Sequence, residues 1–333
     1  KETKKLSFLN KPAAWNRKKA LIEKRALEFV SSLVASYTKR EVSSSSVLNI
    51  KDDIISSFVR AFPYKETPDQ SLCWKNILKD LGSASPMNRL ICGDVGFGKT
   101  ELAVRATFVS IVNEQQVVLV APTTILANQL YHCFAARLVA FGVRVGCLSR
   151  IANNKQKTVD KFLDKQIDVL VGTSSILFKK DILKQCGLFI VDEEHRFGVG
   201  NKEKVFQYNP GVNFLSLSAT PIPRSMQLSL SGVRNLSLIQ TPPIARKPII
   251  SSLGYFSENL IKDIIIKETS RGGQVYFVDN SVQNLKKIFK KLSVLLPFLS
   301  LDIIYGALNG KTLISSMENF VKGNTQVLLS TSI

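Results

Sequence analysis

Residues 93–105 read GDVGFGKTELAVR and follow the apolar run RLIC of residues 89–92. Gly93, Gly96 and Gly98, with Asp94, Val95 and Phe97 between them, let the backbone turn so that successive N–H groups face one anion. Lys99 supplies a charge for terminal phosphates, and the Thr100 hydroxyl is a ligand type suited to Mg²⁺. A helix expected from about Lys99 to Val112 aims its positive dipole end at the same point. This describes a phosphate cup, and at this stage it fits a switch, a small-molecule kinase or a motor.

The second constellation is LFIVDEEH, residues 188–195. Four apolar residues predict a buried strand, and Asp192 emerges at its carboxyl end, where open α/β sheets bind ligands. There it suits the shell of a nucleotide-bound Mg²⁺. Glu193 follows and suits the base that polarises an attacking water. Such an acid-tipped strand is expected beside the phosphate loop. His195 reads as a hydrogen-bonding link toward SATPIPR (218–224), which follows the apolar run NFLSL. Ser218 and Thr220 would sense a γ-phosphate by hydrogen bonding to the acids. A small-molecule kinase has no need of such a relay.

These residues need a sheet to hold them. From residue 88 short β-rich runs recur at 89–92, 117–121, 143–148, 167–171, 188–191 and 213–217, separated by helical or loop stretches. That alternation predicts a parallel sheet covered on both faces. The proline-rich TPPIARKP (241–248) reads as a linker. A second alternation then begins, with helices near 257–269, 281–293 and 311–322 and strands at 274–278, 301–305 and 326–330. Ahead of both, Ile22, Ala26, Phe29, Val30, Leu33 and Tyr37 fall at helical spacing with Lys and Arg opposite, which predicts a long amphipathic helix over 14–38. A short helix is expected at 50–60.

Composition narrows the partner class. Forty-five Lys and Arg against 26 Asp and Glu give a net charge of +19 over 333 residues. That balance favours an anionic polymer, although a lysine-heavy surface also arises by drift. The five cysteines are scattered without metal-ligand spacing and are expected to be reduced and buried, as in a cytoplasmic protein. No apolar run approaches the roughly 18 residues of a membrane span, so no membrane partner is expected. The opening on Lys1 and the close on the strand-like VLLSTSI suggest a fragment.

GDVGFGKT, APTTILANQ (121–129), LVGTSSIL (170–177), VDEEHRFGV (191–199) and SATPIPR together resemble, in order and spacing, the motor motifs of superfamily 2 helicases. MNRLICGDVGFGKTELAVRA, DEEHRFGV and ATPIPRSMQLSLSGVRNLSLIQTPP resemble in particular the transcription-repair coupling factors and their relatives, the RecG branch-migration helicases. LSFLNKPAAW (6–15), RGGQVYFVDNSVQNL (271–285) and the Q-motif-like FPYKETPDQ (62–70) extend the likeness over nearly the whole chain. The resemblance implies an ATP- and Mg²⁺-dependent double-stranded-DNA translocase built from two RecA-like lobes. On this reading 1–60 is a basic, relay-like helical segment and 61–240 the first P-loop NTPase lobe. Residues 241–250 are a linker and 251–333 a second, incomplete lobe.

The resemblance also assigns residues. Gln70 would recognise adenine with Phe62 stacking near it. Thr123, Thr124, Arg150, Gly172, Thr173 and Arg224 would track DNA or couple it to the ATP site. RNA polymerase and excision-repair proteins would be partners of the complete protein, through modules expected to lie before Lys1. Ser174 stands where the family commonly has His, and Ala307 in YGALNG takes a second histidine position. Either would weaken DNA gripping. The arginine-finger motif would follow residue 333, so the chain is expected to bind ATP more readily than it hydrolyses it. A RecG-like branched-DNA helicase and a nucleotide-binding remnant without turnover are the alternatives. The basic leading helix disfavours the first, and the intact GKT and DEEH motifs the second.

Overall fold

A computed structural model describes residues 40, 43–50, 53–149, 155–219, 234–244, 246 and 249–331. The helix expected over 14–38 and the sites expected at Arg150, Thr220 and Arg224 lie outside them. In chain order the elements are α1 (Asp53–Arg60), α2 (Pro68–Leu81), β1 (Asn88–Gly93), α3 (Lys99–Val112), β2 (Gln116–Ala121), α4 (Thr124–Leu138) and β3 (Val145–Leu148). There follow α5 (Lys155–Leu163), β4 (Val169–Thr173), α6 (Lys180–Gln185), β5 (Cys186–Val191), α7 (Val199–Tyr208), β6 (Asn213–Ser218) and β7 (Asn235–Ile239). The last are α8 (Glu258–Ser270), β8 (Val275–Val278), α9 (Val282–Leu295), β9 (Leu301–Ile304), α10 (Gly310–Val321) and β10 (Val327–Ser330).

Seven strands form one sheet in the order β3-β4-β2-β5-β6-β1-β7, and three form another in the order β8-β10-β9. β1 pairs in parallel with β6 and β7, β5 with β6, β3 with β4, and β10 with β8 and β9. β2 and β6 are buried at every residue, and β5 at all but Gly187. Strands covered on both faces read as unbroken apolar runs, which is why the runs at 117–121, 188–191 and 213–217 predict them well.

Two expectations are corrected. The acid-tipped β5 does not pair with β1, because β6 lies between them. Sequence adjacency carries no strand order, and the crossover here returns one strand away. The second correction is β7, a strand not anticipated before the proline-rich stretch. Its Asn-Leu-Ser-Leu-Ile alternates polar with apolar at the sheet's end, where only part of the strand is covered.

By packing the chain divides into two units. One takes in the described residues up to Val118 with Leu177–Thr241, the other Leu119–Ile176 with the residues from Pro242 onward. In the first, Phe58 stacks on Phe108 at 4.1 Å and Phe189 on Phe214 at 5.7 Å. Arg89, on β1, donates through Nε to Asp80 Oδ2 at 2.6 Å and through Nη1 to Ser237 Oγ at 2.7 Å, tying α2, β1 and β7 together. α2 itself starts sharply: Thr67 and Gln70 form a reciprocal capping box with Pro68 in the first turn. In the second unit, Ile265, Leu285, Leu292, Leu296, Val327 and Leu329 form the core beside the three-stranded sheet.

Three of the cysteines are buried as expected, Cys147 is half-buried and Cys133 is exposed. Cys133 lies on α4 away from the stripe of Ala127, Leu130 and Phe134 that faces inward, so its burial is corrected. No helix among the described residues is long and apolar enough to cross a membrane.

Candidate active site

The phosphate loop begins where β1 ends. Gly96 and Gly98 have φ of 82° and 80°, in the left-handed region that side chains avoid. Gly98 is the residue before α3, and a Cβ there would run into the Gln70 carboxamide. Lys99 Nζ donates to the carbonyls of Gly93 at 2.6 Å and Asp94 at 2.9 Å, so the ammonium lies folded over the loop's own backbone. Asp94 and Val95 are exposed, Phe97 is buried, and Thr100 is half-buried in the first turn of α3. Gly98→Ala is expected to cost about 1–2 kcal/mol for the left-handed backbone alone and to displace Gln70. Urea unfolding measures it, and an unchanged midpoint would count against the close approach.

Gln70 closes the other side of the loop. Its Oε1 accepts from Thr67 N–H at 2.9 Å, and its Nε2 donates to the Phe97 carbonyl at 2.9 Å. Phe62, half-buried on the stretch before α2, lines a narrow cleft with Glu66, Gln70, Gly98, Glu101, Leu102 and Arg105.

At the end of β5 the acids come within electrostatic reach of Lys99. Burial lowers the Lys99 pKa, against the opposing pull of Asp192, Glu193 and Asp94. Burial raises that of Asp192, reinforced by the Glu193 charge and opposed by a bond from Glu193 N–H and by Lys99. Glu193 has φ 49° and ψ 56°, a left-handed conformation uncommon for a residue with a side chain. Its N–H donates to Asp192 Oδ1 at 3.0 Å, and its Oε2 lies 3.2 Å from His195 Nδ1. Ser218, buried at the end of β6, is in register with Cys92, the residue before Gly93. The strand between β5 and β1 thus brings a hydroxyl to the same edge as the cup and the acids.

The residue that sequence reasoning passed over is Glu194. Arg234 Nη1 donates to its two oxygens at 2.6 and 2.8 Å, and Lys202 Nζ to Oε1 at 2.9 Å. All three side chains are nearly buried, with Arg234 fully so. Burial pushes the Glu194 carboxyl up, but the charges of Lys202 and Arg234 outweigh it and hold it below its ordinary value. Burial, with Arg234 adding, brings Lys202 down to about 8. The only sequence signal was a third acid in DEEH with basic residues eight and forty positions away.

In the other unit, Thr123 caps α4, its Oγ1 accepting from Leu126 N–H at 3.3 Å. Gly172 sits where a Cβ would strike the Leu148 carbonyl and the Ile176 side chain. Thr173 Oγ1 lies 3.1 Å from Ser175 Oγ, and Ser174 opens a short 3-10 helix. Ala307 is exposed in the turn after β9. The structure therefore gathers Gln70, Gly93 to Thr100, Asp192, Glu193, His195 and Ser218 in the first unit. Thr123, Thr124, Gly172 and Thr173 belong to the second.

Residues 67–228 match the DEAD/DEAH box helicase family. The transcription-repair-coupling factor of Borreliella burgdorferi is 42% identical over 96% of this chain and 28% of its own length. That of Bacillus subtilis is 38% identical over 96% and 27%, and that of Buchnera aphidicola 38% over 96% and 40%. The chain thus spans well under half of the curated relatives it matches. RecG, solved bound to a three-way DNA junction, is 31% identical with a TM-score of 0.69, covering 88% of this chain and 40% of RecG. The helicase Lhr, solved with single-stranded DNA and AMP-PNP, shares the RecA-like fold at 18% identity and a TM-score of 0.63. From its phosphate loop and acid-tipped β5 to these likenesses, this chain carries a DEAD/DEAH box helicase domain over residues 67–228 and is similar to the transcription-repair-coupling factors.

Proposed function

We propose that this chain is the ATP-driven motor portion of a double-stranded-DNA translocase that couples transcription to repair. The observation that carries the proposal is the half-buried carboxylate pair Asp192–Glu193 at the end of β5, close enough to Lys99 of the glycine loop to act on it electrostatically. Lys99, resting on two backbone carbonyls, is released to the β- and γ-phosphates when a nucleotide fills the cup. The loop N–H groups and the α3 N-terminus take the remaining phosphate charge. Gln70 reads the adenine edge and Phe62 stacks on its face. Glu193 orients and deprotonates the attacking water, and His195 holds the Glu193 carboxylate in place.

A divalent cation fits this donor set. Asp192 is half-buried beside a second acid, whose charge and burial outweigh the bond from the Glu193 N–H and the Lys99 charge, and a dication there offsets the cost of ionising it. Mg²⁺ takes one or two carboxylates and completes its shell with phosphate oxygens and water. Thr100 and Asp192 would hold it, and it would neutralise charge on the transferred phosphoryl group. Ser218, with Thr220 beyond the described residues, passes the γ-phosphate state onward.

On the DNA side, Thr123, Thr124, Gly172 and Thr173 offer hydroxyl and N–H groups suited to phosphates, which suits sequence-independent tracking, with Arg150 and Arg224 as further contacts. The first lobe spans 61–240, the linker 241–250 and the second lobe 251–333. RNA polymerase and the excision-repair proteins are the partners of the longer protein, acting through regions outside these residues.

The test is ATP turnover with no DNA, with linear duplex and with a three-way junction. Stimulation by plain duplex supports the coupling-factor reading. Stimulation by the junction alone moves the assignment to a RecG-like helicase, the reading favoured by the RecG likeness. Nucleotide binding with no turnover under any condition sinks both in favour of a non-hydrolysing module.

A further inference from the structure

We infer that Arg105 is the positioning residue of the base pocket: its buried guanidinium holds the Phe62 ring where an adenine must stack. The inference rests on the reading of Phe62 and Gln70 as a base site and goes beyond it to the residue that builds that site.

Arg105 lies in α3 among apolar neighbours and is 1% exposed. Burying a guanidinium costs several kcal/mol unless it is paired (roughly, for an effective low-dielectric site), so its surroundings show what it is for. Its Nε donates to Glu101 Oε1 at 2.9 Å, and its Nη1 lies 2.8 Å from Glu66 Oε1. Its central carbon sits over the Phe62 ring at 5.2 Å and over the Trp74 ring at 5.9 Å. A planar guanidinium can pair with carboxylates through its edge while offering its face to a ring; an ammonium cannot do both.

The two base-reading residues are held by different means. Gln70 is fixed by the α2 capping box and the Phe97 carbonyl, neither of which involves Arg105. Phe62 lies on the irregular stretch between α1 and α2, and Glu66 on that stretch is pinned by Arg105 and by Ser71 Oγ at 3.0 Å. Arg105 thus grips the stretch by a ring and by a carboxylate, from beneath the cleft that Phe62, Gln70 and Gly98 line. Loss of the guanidinium leaves the phosphate cup and Gln70 intact and frees the stacking face.

The experiment titrates ATP, GTP and inorganic tripolyphosphate into the wild-type chain and into Arg105→Lys, Arg105→Met, Phe62→Ala and Phe62→Ala/Arg105→Lys. Thermal melting identifies the folded variants. Wild type is expected to prefer ATP to GTP. Arg105→Lys is expected to weaken ATP about five- to thirty-fold, the worth of 1–2 kcal/mol, with tripolyphosphate unchanged. The double variant should bind ATP no worse than Phe62→Ala, because contacts acting through one ring are not additive. Additive losses, equal losses for tripolyphosphate, or wild-type ATP affinity in folded Arg105→Lys and Arg105→Met would overturn the inference. A wild type that binds ATP and GTP alike overturns the base-site reading itself and the inference with it, a result distinct from the other three.

Discussion

Glu193→Gln is expected to abolish duplex-stimulated ATP turnover, by about 10²–10⁴-fold for loss of a general base, while ATP affinity stays within about two-fold. The split follows from where Glu193 sits. It lies one residue beyond Asp192 in a left-handed backbone conformation, which turns its side chain away from the direction β5 would otherwise give it. On the proposed reading it does not hold the phosphates, so binding has little to lose. Its carboxylate is in reach of His195 Nδ1, a partner that suits a group holding a water rather than a metal. Glutamine keeps the shape and the hydrogen bonding but takes up no proton. Lys99→Ala is the necessary contrast, since it removes the ammonium proposed to meet the phosphates and should weaken nucleotide binding itself. Nucleotide titration and phosphate release measure the two quantities separately. Turnover persisting in Glu193→Gln at more than a tenth of the wild-type rate would remove Glu193 from the role.

The parts of this site differ in how legible they were. β1, β5 and β6 are covered on both faces, so their apolar runs announce them without any alternation to interpret. The start of α3 is equally plain, because glycines at 96 and 98 followed by Lys-Thr leave no other place for the turn to end. Strand order was hidden: nothing local in LFIVDEEH tells that β6 separates it from β1. β7 was missed because Asn235 and Ser237 interrupt it and a proline-rich stretch follows. The buried charges were the least visible. Arg105 reads as one basic residue in an apolar helix, and Glu194 as a spare acid, since a pairing across forty residues leaves no periodic trace.

That hidden pairing carries the largest expected effect on stability. Arg234→Met is expected to destabilise the chain by about 3–5 kcal/mol, the cost of breaking a buried ion pair from one side. Arg234 is fully buried and its Nη1 makes two bonds to Glu194, whose remaining charged partner among the described residues is Lys202, a group already brought down to about 8 by burial. Replacing all three, as Glu194→Leu/Lys202→Met/Arg234→Met, should recover most of the loss, because an apolar set of similar volume needs no charge compensation. The sign in acid follows from the direction of the Glu194 shift. Its folded-state pKa lies below the unfolded value, so its contribution is present above the unfolded pKa and is lost as the pH falls through the folded one. Removing Arg234 removes one cause of that depression, and the acid-unfolding midpoint of Arg234→Met should move to higher pH. Urea unfolding at neutral pH and an acid titration followed by circular dichroism test both. The triple variant also separates support from chemistry. Glu194 is joined by one peptide bond to Glu193, and a rare backbone conformation persists only where its surroundings over-determine it. If the apolar triple recovers stability but not turnover, the clamp holds Glu193 in its working conformation. If it recovers both, the three charges serve only to join the turn after β5 to the start of β7.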